Sequence, residues 1–317
     1  MDSVKLGSTG INVSPIGIGL SEIGQVKLEV SEVSSILNTA IDGGINFLDT
    51  AACYGGSEEL IGKTVSHRRD EFTLATKCGH TNCLCGTIGE KCTHQSIKLQ
   101  NPDWSGQTIS DSIERSLKRL QTDYIDLVQL HSCDINTLEN SDVIDALIKA
   151  KESGKTRFIG YSGDNDNALW AVQSGQFDTL QTSFNIVDQN ARNKLLPEAE
   201  SRNMGVIVKR PIANGVWARA QVPRRGFPTT YAEEYFDRAK AIASLGPLKE
   251  VDDPIKLAMG FTFAHPEVDT AIIGTTNPKH ILSNISMMNE GLSISDENIN
   301  TLVKRFNELG ENWNQLT

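Results

Sequence analysis

The sequence predicts a (β/α)8 TIM barrel, with an N-terminal β-hairpin plugging its floor and long loops at its C-terminal mouth. Three observations point there. Short β-branched runs alternate eight times with segments of helical period. Several of those runs are apolar throughout, as strands covered on both faces should be. The residues that close them include chemically useful polar types, and in a parallel barrel the C-terminal strand ends converge on one mouth. At 317 residues, a single barrel domain over 1–317 is the expected organisation, because α/β barrels run long as one domain.

Taken in order, Val4-Lys5-Leu6-Gly7-Ser8-Thr9-Gly10-Ile11-Asn12-Val13 reads as a hairpin with a glycine-containing turn. The expected barrel strands are Pro15–Leu20, Asn46–Asp49, Phe72–Lys77, Ile125–His131, Arg157–Ser162, Thr179–Ser183, Gly205–Lys209 and Thr270–Ile273. Between them, Ser31–Asp42 starts on Ser31 as N-cap and stops before Gly43-Gly44. Ser110–Leu120 sets Ile113, Leu117 and Leu120 on one face. Asp142–Glu152 stops before Gly154, and Asn193–Arg202 before Met204-Gly205. Lys279–Asn289 follows Pro278, a good first-turn residue. Two connections, Gly79–Gly106 and Arg210–Thr229, exceed ordinary loop lengths and read as binding loops or lids.

Net charge narrows the partners. Thirty Lys and Arg against 40 Asp and Glu give −10, which argues against a nucleic-acid or anionic-membrane binder. A small molecule is the expected partner. No apolar run approaches the roughly 18 residues of a membrane span. Met1-Asp2-Ser3-Val4-Lys5-Leu6 lacks signal-peptide features. The expected location is therefore cytoplasmic, with cysteines reduced.

Four polar residues carry the chemistry. Asp49, Lys77 and His131 each close an expected strand, and Tyr54 follows Asp49 by five positions. Gathered at one mouth, they can deliver a proton to a carbonyl oxygen.

Longer stretches around these residues resemble the aldo-keto reductase superfamily over nearly the whole chain. They are Lys5–Gly10, Gly43–Ala51, Tyr54-Gly55, Ala75-Thr76-Lys77, Ser116–Leu127, Gly154–Gly160 and Ala271–Thr276. The resemblance implies a (β/α)8 barrel that binds a nicotinamide cofactor, NADP(H) in preference to NAD(H), and interconverts carbonyls and alcohols. It makes Tyr54 the general acid in reduction and base in oxidation. A free tyrosine, with a pKa of about 10, is a weak acid at neutral pH. Lys77 is expected to lower that value, Asp49 to hold Lys77, and His131 to orient the carbonyl oxygen.

The same resemblance assigns Ser162 and Gln181 to the nicotinamide amide and Asn284 to adenine. Gly274-Thr275-Thr276-Asn277-Pro278-Lys279-His280 opens the last helix in the barrel pattern, and a helix N-terminus suits a phosphate. Gly274 and Thr275 line that opening, and Lys279 adds charge. Three departures stand out. The family's usual Asn after Ser162 is Gly163; its Lys and Arg for a 2′-phosphate are Gly274 and His280; its nicotinamide-stacking aromatic is Lys209. Lys209 is then a cation or aliphatic stem against the nicotinamide, and Arg210 a candidate for a cofactor phosphate.

Trp104 and Trp217 are the candidate substrate-pocket aromatics, with Phe227 and Trp313 as further loop and tail aromatics. All six cysteines lie between Cys53 and Cys133. Cys83, Cys85 and Cys92, with His80 and His94, offer a zinc or redox reading, but lack paired C-x₂₋₄-C spacing, so no metal is assigned. Two other functions compete on the same fold: a nucleotide-sensing regulatory subunit, and a sugar dehydrogenase working oxidatively, which the Gly154–Gly160 stretch resembles.

Overall fold

Alternation of period two within each strand decides what fills this molecule's centre. The computed structural model describes residues 1–80, 104–217, 230–249, 253–292 and 294–316. Strands β1 (Val4–Lys5) and β2 (Asn12–Val13) form an antiparallel hairpin. The barrel strands are β3 (Ile16–Gly19), β4 (Phe47–Asp49), β5 (Thr73–Cys78), β6 (Ile125–His131), β7 (Thr156–Ser162), β8 (Thr179–Ser183), β9 (Gly205–Lys209) and β10 (Thr270–Gly274). They pair in parallel and in sequence order, and β10 returns to β3 to close the ring.

The hairpin is the barrel's floor. Leu6, Ile11 and Val13 bury against Phe47, Ala75, Leu127, Ile207 and Ile272 in a cluster separate from the larger core. Gly7 N–H donates to Asp269 Oδ2 at 3.0 Å and Ser8 N–H to the Asn203 carbonyl at 2.8 Å, tying the turn to the entrances of β9 and β10. A side chain at Gly7 would meet the Gly205 amide at 2.3 Å. The larger core lies between the barrel's outer face and its helices.

All eight expected strands form, to within two residues at each end. Helices Val30–Asp42, Gly106–Leu120, Val143–Glu152, Leu195–Ser201 and Pro278–Glu290 occupy the five expected positions. The first begins before Ser31. Its N-cap is Glu29, in a capping box with Glu32, whose Oε2 accepts from Glu29 N–H at 2.8 Å. Helices Ser57–Val65, Asn165–Ser174, Thr230–Ser244, Pro254–Phe263 and Asp296–Leu309, with the short helices Ser21–Gln25 and Ile135–Asn140, complete the set among the described residues. Among the described residues, no helix is long and apolar enough to cross a membrane. Cys83, Cys85, Cys92, His94 and Phe227 lie outside the described residues.

Candidate active site

One layer above the hydrophobic floor the interior turns polar. Two residues on from Phe47, Ala75 and Leu127 come Asp49, Lys77 and Gln129, so all three point into the barrel. Lys77 Nζ donates to Asp49 Oδ2 at 2.5 Å and to the Thr50 carbonyl at 2.9 Å. The other Asp49 oxygen accepts from Gln181 Nε2 at 2.8 Å and Gln129 Nε2 at 3.5 Å. Lys77 and Asp49 are exposed by only 1% and 2%, so two full charges are held inside the barrel by one another. Burial works against the Lys77 ammonium, but Asp49, with Tyr54 and Cys53, outweighs it and raises its pKa.

A tight turn after β4 presents Tyr54. Its N–H donates to the Ala51 carbonyl at 3.0 Å, and its carbonyl accepts from Ser57 N–H at 3.1 Å. Ser57 Oγ shares a 2.8 Å bond with Thr50 Oγ1 and donates to the Leu20 carbonyl, fixing the start of helix Ser57–Val65. Gly24 touches the same turn: a Cβ there would lie 1.7 Å from the Tyr54 carbonyl oxygen. Lys77 Nζ sits 5.0 Å from the centre of the Tyr54 ring. The His131 ring meets Tyr54 edge to face at 5.8 Å.

The four residues expected together are therefore together. The expected lowering of the Tyr54 pKa is not found. Burial pushes it up to about 12, Lys77 pulls back, and Asp49 offsets part of that pull. Tyr54 is held as the protonated phenol, the form a proton donor needs.

Ser162 and Gln181 lie side by side at the ends of β7 and β8, with Ser162 Oγ donating to Gln181 Oε1 at 3.0 Å. Gln181 is thus bonded on one side to Ser162 and on the other to Asp49. One hydrogen on its Nε2 and the lone pairs of Ser162 remain for a ligand. Gly163 has a steric cause, because any side chain there would meet the Tyr161 ring at 2.6 Å.

Lys209 pairs with buried Asp164 at 2.8 Å. Burial works against the Asp164 carboxylate, but Lys209 and Arg210 outweigh it and pull its pKa below the ordinary range. Arg210 adopts a left-handed φ of 58°. Its guanidinium donates to the Leu316 carbonyl and to Ser183 Oγ, and packs on the Tyr231 ring at 4.2 Å. Its expected role at a cofactor phosphate therefore competes with the C-terminal tail.

Helix Pro278–Glu290 opens at the end of β10. Asn277 caps it by accepting from Lys279 N–H at 3.0 Å, and Thr275 Oγ1 lies 3.2 Å from His280 Nδ1. Gly274, Lys279 and His280 are exposed there, and Asn284 is half-buried on the second turn. Glu22, which the sequence did not single out, approaches from the segment after β3. Its carboxylate would lie 3.5 Å from a Cβ on Gly274. Burial raises the Glu22 pKa, and His280 pulls it back.

Trp104 covers Gly79 and meets His80 edge to face at 5.8 Å, and His80 stacks on His131 at 4.6 Å. Trp104 is therefore at the mouth, beside His80 and His131. Trp217 is half-buried against the large core beyond the 3₁₀ turn Ala213–Gly215. Trp313 packs edge to face on Phe306 at 5.6 Å. Cys78 and Cys133 are buried thiols whose pKa values burial drives up, Cys133 to about 12, so neither suits a redox role.

The geometry is matched by kinship. Residues 15–305 match the Aldo/keto reductase family. The chain belongs to this family. It is 30% identical to the L-galactose dehydrogenase of Arabidopsis thaliana, over 90% of this chain and 87% of that one. It is 24% identical to the NADH-specific methylglyoxal reductase of Escherichia coli, over 93% of this chain and 96% of that one. The holo form of aldo-keto reductase AKR11C1 from Bacillus halodurans superposes with a TM-score of 0.79 at 25% identity, covering 96% of both chains. Members of the family use nicotinamide cofactors and are oxidoreductases.

Proposed function

We propose that this chain interconverts an aldehyde, ketone or sugar carbonyl and its alcohol, with Tyr54 as the proton donor in reduction and acceptor in oxidation. The observation that carries the reading is Lys77 inside the barrel, clamped by Asp49 at 2.5 Å and standing 5.0 Å from the Tyr54 ring. As the phenol hands its proton to a carbonyl oxygen, negative charge develops on Tyr54. The ammonium, already desolvated and fixed, stabilises that charge without reorganising. His131 directs an imidazole nitrogen to the same oxygen. Trp104 lies over Gly79 at the mouth.

The strand-end polar groups fit a dinucleotide. Ser162 and Gln181 offer hydrogen bonds to a carboxamide, and the start of helix Pro278–Glu290 offers backbone N–H groups to a phosphate. The bound nicotinamide supplies the hydride. We infer NAD(H) rather than the NADP(H) expected from the sequence. What supports this is Glu22, whose carboxylate stands beside Gly274: a carboxylate there would repel a 2′-phosphate and would suit hydrogen bonding to a 2′-hydroxyl. Lys279 and His280 flank this position and pull the other way, which the first assay resolves.

The names of two relatives, an L-galactose dehydrogenase and an NADH-specific reductase of methylglyoxal, support a small oxygenated carbonyl as the substrate class and favour oxidation of a sugar as the same site run in reverse. The deciding assay follows nicotinamide absorbance with NADH and NADPH against short aldehydes, and with NAD⁺ against aldoses. Turnover with neither pair, despite dinucleotide binding, would instead support a nucleotide-sensing subunit.

A further inference from the structure

Beside Tyr54 the segments that follow β4 and β5 bring two further side chains, Cys53 and His80, against His131 at the end of β6. Cys53 is buried on the turn after β4, with its Sγ 3.4 Å from His131 Nδ1. His80 follows β5 across Gly79, whose φ of 107° bends the chain back over the mouth. One donor atom from each of Cys53, His80 and His131 lies within 4.8 Å of the other two.

We propose that this cluster is a binding site for a thiophilic divalent cation of the zinc type, and that the bound cation shuts the active site. Zinc holds sulfur at about 2.3 Å and imidazole nitrogen at about 2.0–2.1 Å in a tetrahedron, which sets the ligand atoms roughly 3.3–3.6 Å apart. The Cys53–His131 pair already has that separation. The His80 ring lies nearly parallel to His131, at 24°. It reaches the cation by turning about its own side-chain bonds and closing by at most about 1.5 Å, the excess of the 4.8 Å bound over the tetrahedral edge. One thiolate and two imidazoles form a set that selects zinc over the hard cations magnesium and calcium. Binding replaces the thiol proton of Cys53, which leaves to solvent, so affinity rises with pH.

The three protein ligands leave a fourth position open toward the mouth, where water completes the shell. Closure of the site rests on the function proposed above. A nitrogen of His131 spent on the cation no longer serves a carbonyl oxygen, and the cation's water stands in the oxygen's place. Metal and carbonyl then compete, while dinucleotide affinity is unchanged.

Cobalt(II) titration of the full chain tests the site without requiring turnover. One equivalent should bind with a thiolate-to-cobalt charge-transfer band and the strong visible bands of a tetrahedral ion. Cys53→Ser should lose the charge-transfer band. His80→Gln, a change outside the four residues of the proposed mechanism, removes a ligand and should weaken binding by more than the roughly tenfold that loss of an outer-shell contact costs. A chain with Cys83, Cys85 and Cys92 all changed to serine should keep the band. A band that survives Cys53→Ser and His80→Gln but vanishes in the triple variant would overturn the site. In the turnover assay, zinc should raise the apparent KM for the carbonyl in the unmutated chain and lose most of that effect in His80→Gln. Stoichiometric binding with unaltered KM would overturn the closure. A chain that binds cobalt in this way yet turns over no substrate would support the metal site and remove the reductase reading.

Discussion

Replacing Asp49 by Asn should cost this fold several kcal/mol and expose how the barrel holds a buried charge. Lys77 and Asp49 are 1% and 2% exposed and 2.5 Å apart. Removing one partner of such a pair strands the other, at a typical cost of about 3–5 kcal/mol. A second route reaches the same figure. Without Asp49, Lys77 can escape by giving up its proton, its amine still bonded to the Thr50 carbonyl at 2.9 Å. Discharging a lysine of pKa about 10.4 at pH 7 costs roughly 1.4 kcal/mol per unit, or about 4–5 kcal/mol. Urea unfolding of the unmutated chain, Asp49→Asn, Lys77→Met and the double variant measures it. The two single changes should not add: the double variant should recover at least about 2 kcal/mol of their sum. The sign with pH is fixed as well. A raised folded pKa makes the Lys77 contribution complete below about pH 10.4 and lost as pH rises through the folded value, so the gap between the unmutated chain and Asp49→Asn should close in strong alkali. Additive costs, or an Asp49→Asn chain within about 0.5 kcal/mol of the original, would refute the reasoning.

Other predictions concern neighbouring features. Gly24→Ala brings a Cβ to 1.7 Å from the Tyr54 carbonyl, a backbone contact that no side-chain rotation relieves, so the Tyr54 turn must move; kcat should fall on the order of 10²-fold with the dinucleotide affinity unchanged. Glu22→Gln should improve NADPH binding relative to NADH by roughly fivefold, about 1 kcal/mol for one charge near a phosphate at the surface, read by fluorescence titration. Asp188 is buried and its carboxyl is pushed up to about 7, with the Leu316 N–H pulling it back. Because that folded value lies above the unfolded one, the group's contribution is greatest in acid and is lost as pH rises from about 4 to 7; Asp188→Asn should remove that slope and gain a few kcal/mol near pH 8 in urea unfolding.

Much of this was legible because strand chemistry is local. Ile125–His131 carries apolar residues on both faces, Ile125 and Leu127 on one and Val128 and Leu130 on the other, so it read as a covered strand, and its period of two put Leu127, Gln129 and His131 on the same inward side. The same counting from Phe47 to Asp49 and from Ala75 to Lys77 stacks a polar layer on an apolar one. What stayed hidden depends on contacts distant in sequence. Glu22 and Gly24 sit in a five-residue helix, Ser21–Gln25, and matter only because Gly274 and the Tyr54 turn come against them. Gln129 looked like one more strand residue until Asp49 was found 3.5 Å away, 80 residues earlier. Ser31 was a reasonable cap by residue type, but Glu29 and Glu32 cap each other's N–H groups and start the helix earlier in the chain. The Tyr54 pKa turned on how far burial outweighs Lys77, a balance that residue identities alone do not fix.

The most direct measurement is Tyr54→Phe, assayed for turnover and for dinucleotide affinity in one preparation. Loss of the phenolic proton should lower kcat by roughly 10²–10⁴-fold while the dinucleotide Kd stays within a factor of two or so. Turnover that persists within a few-fold of the unmutated chain would mean the proton comes from another group, and the role given to Tyr54 and Lys77 would fall.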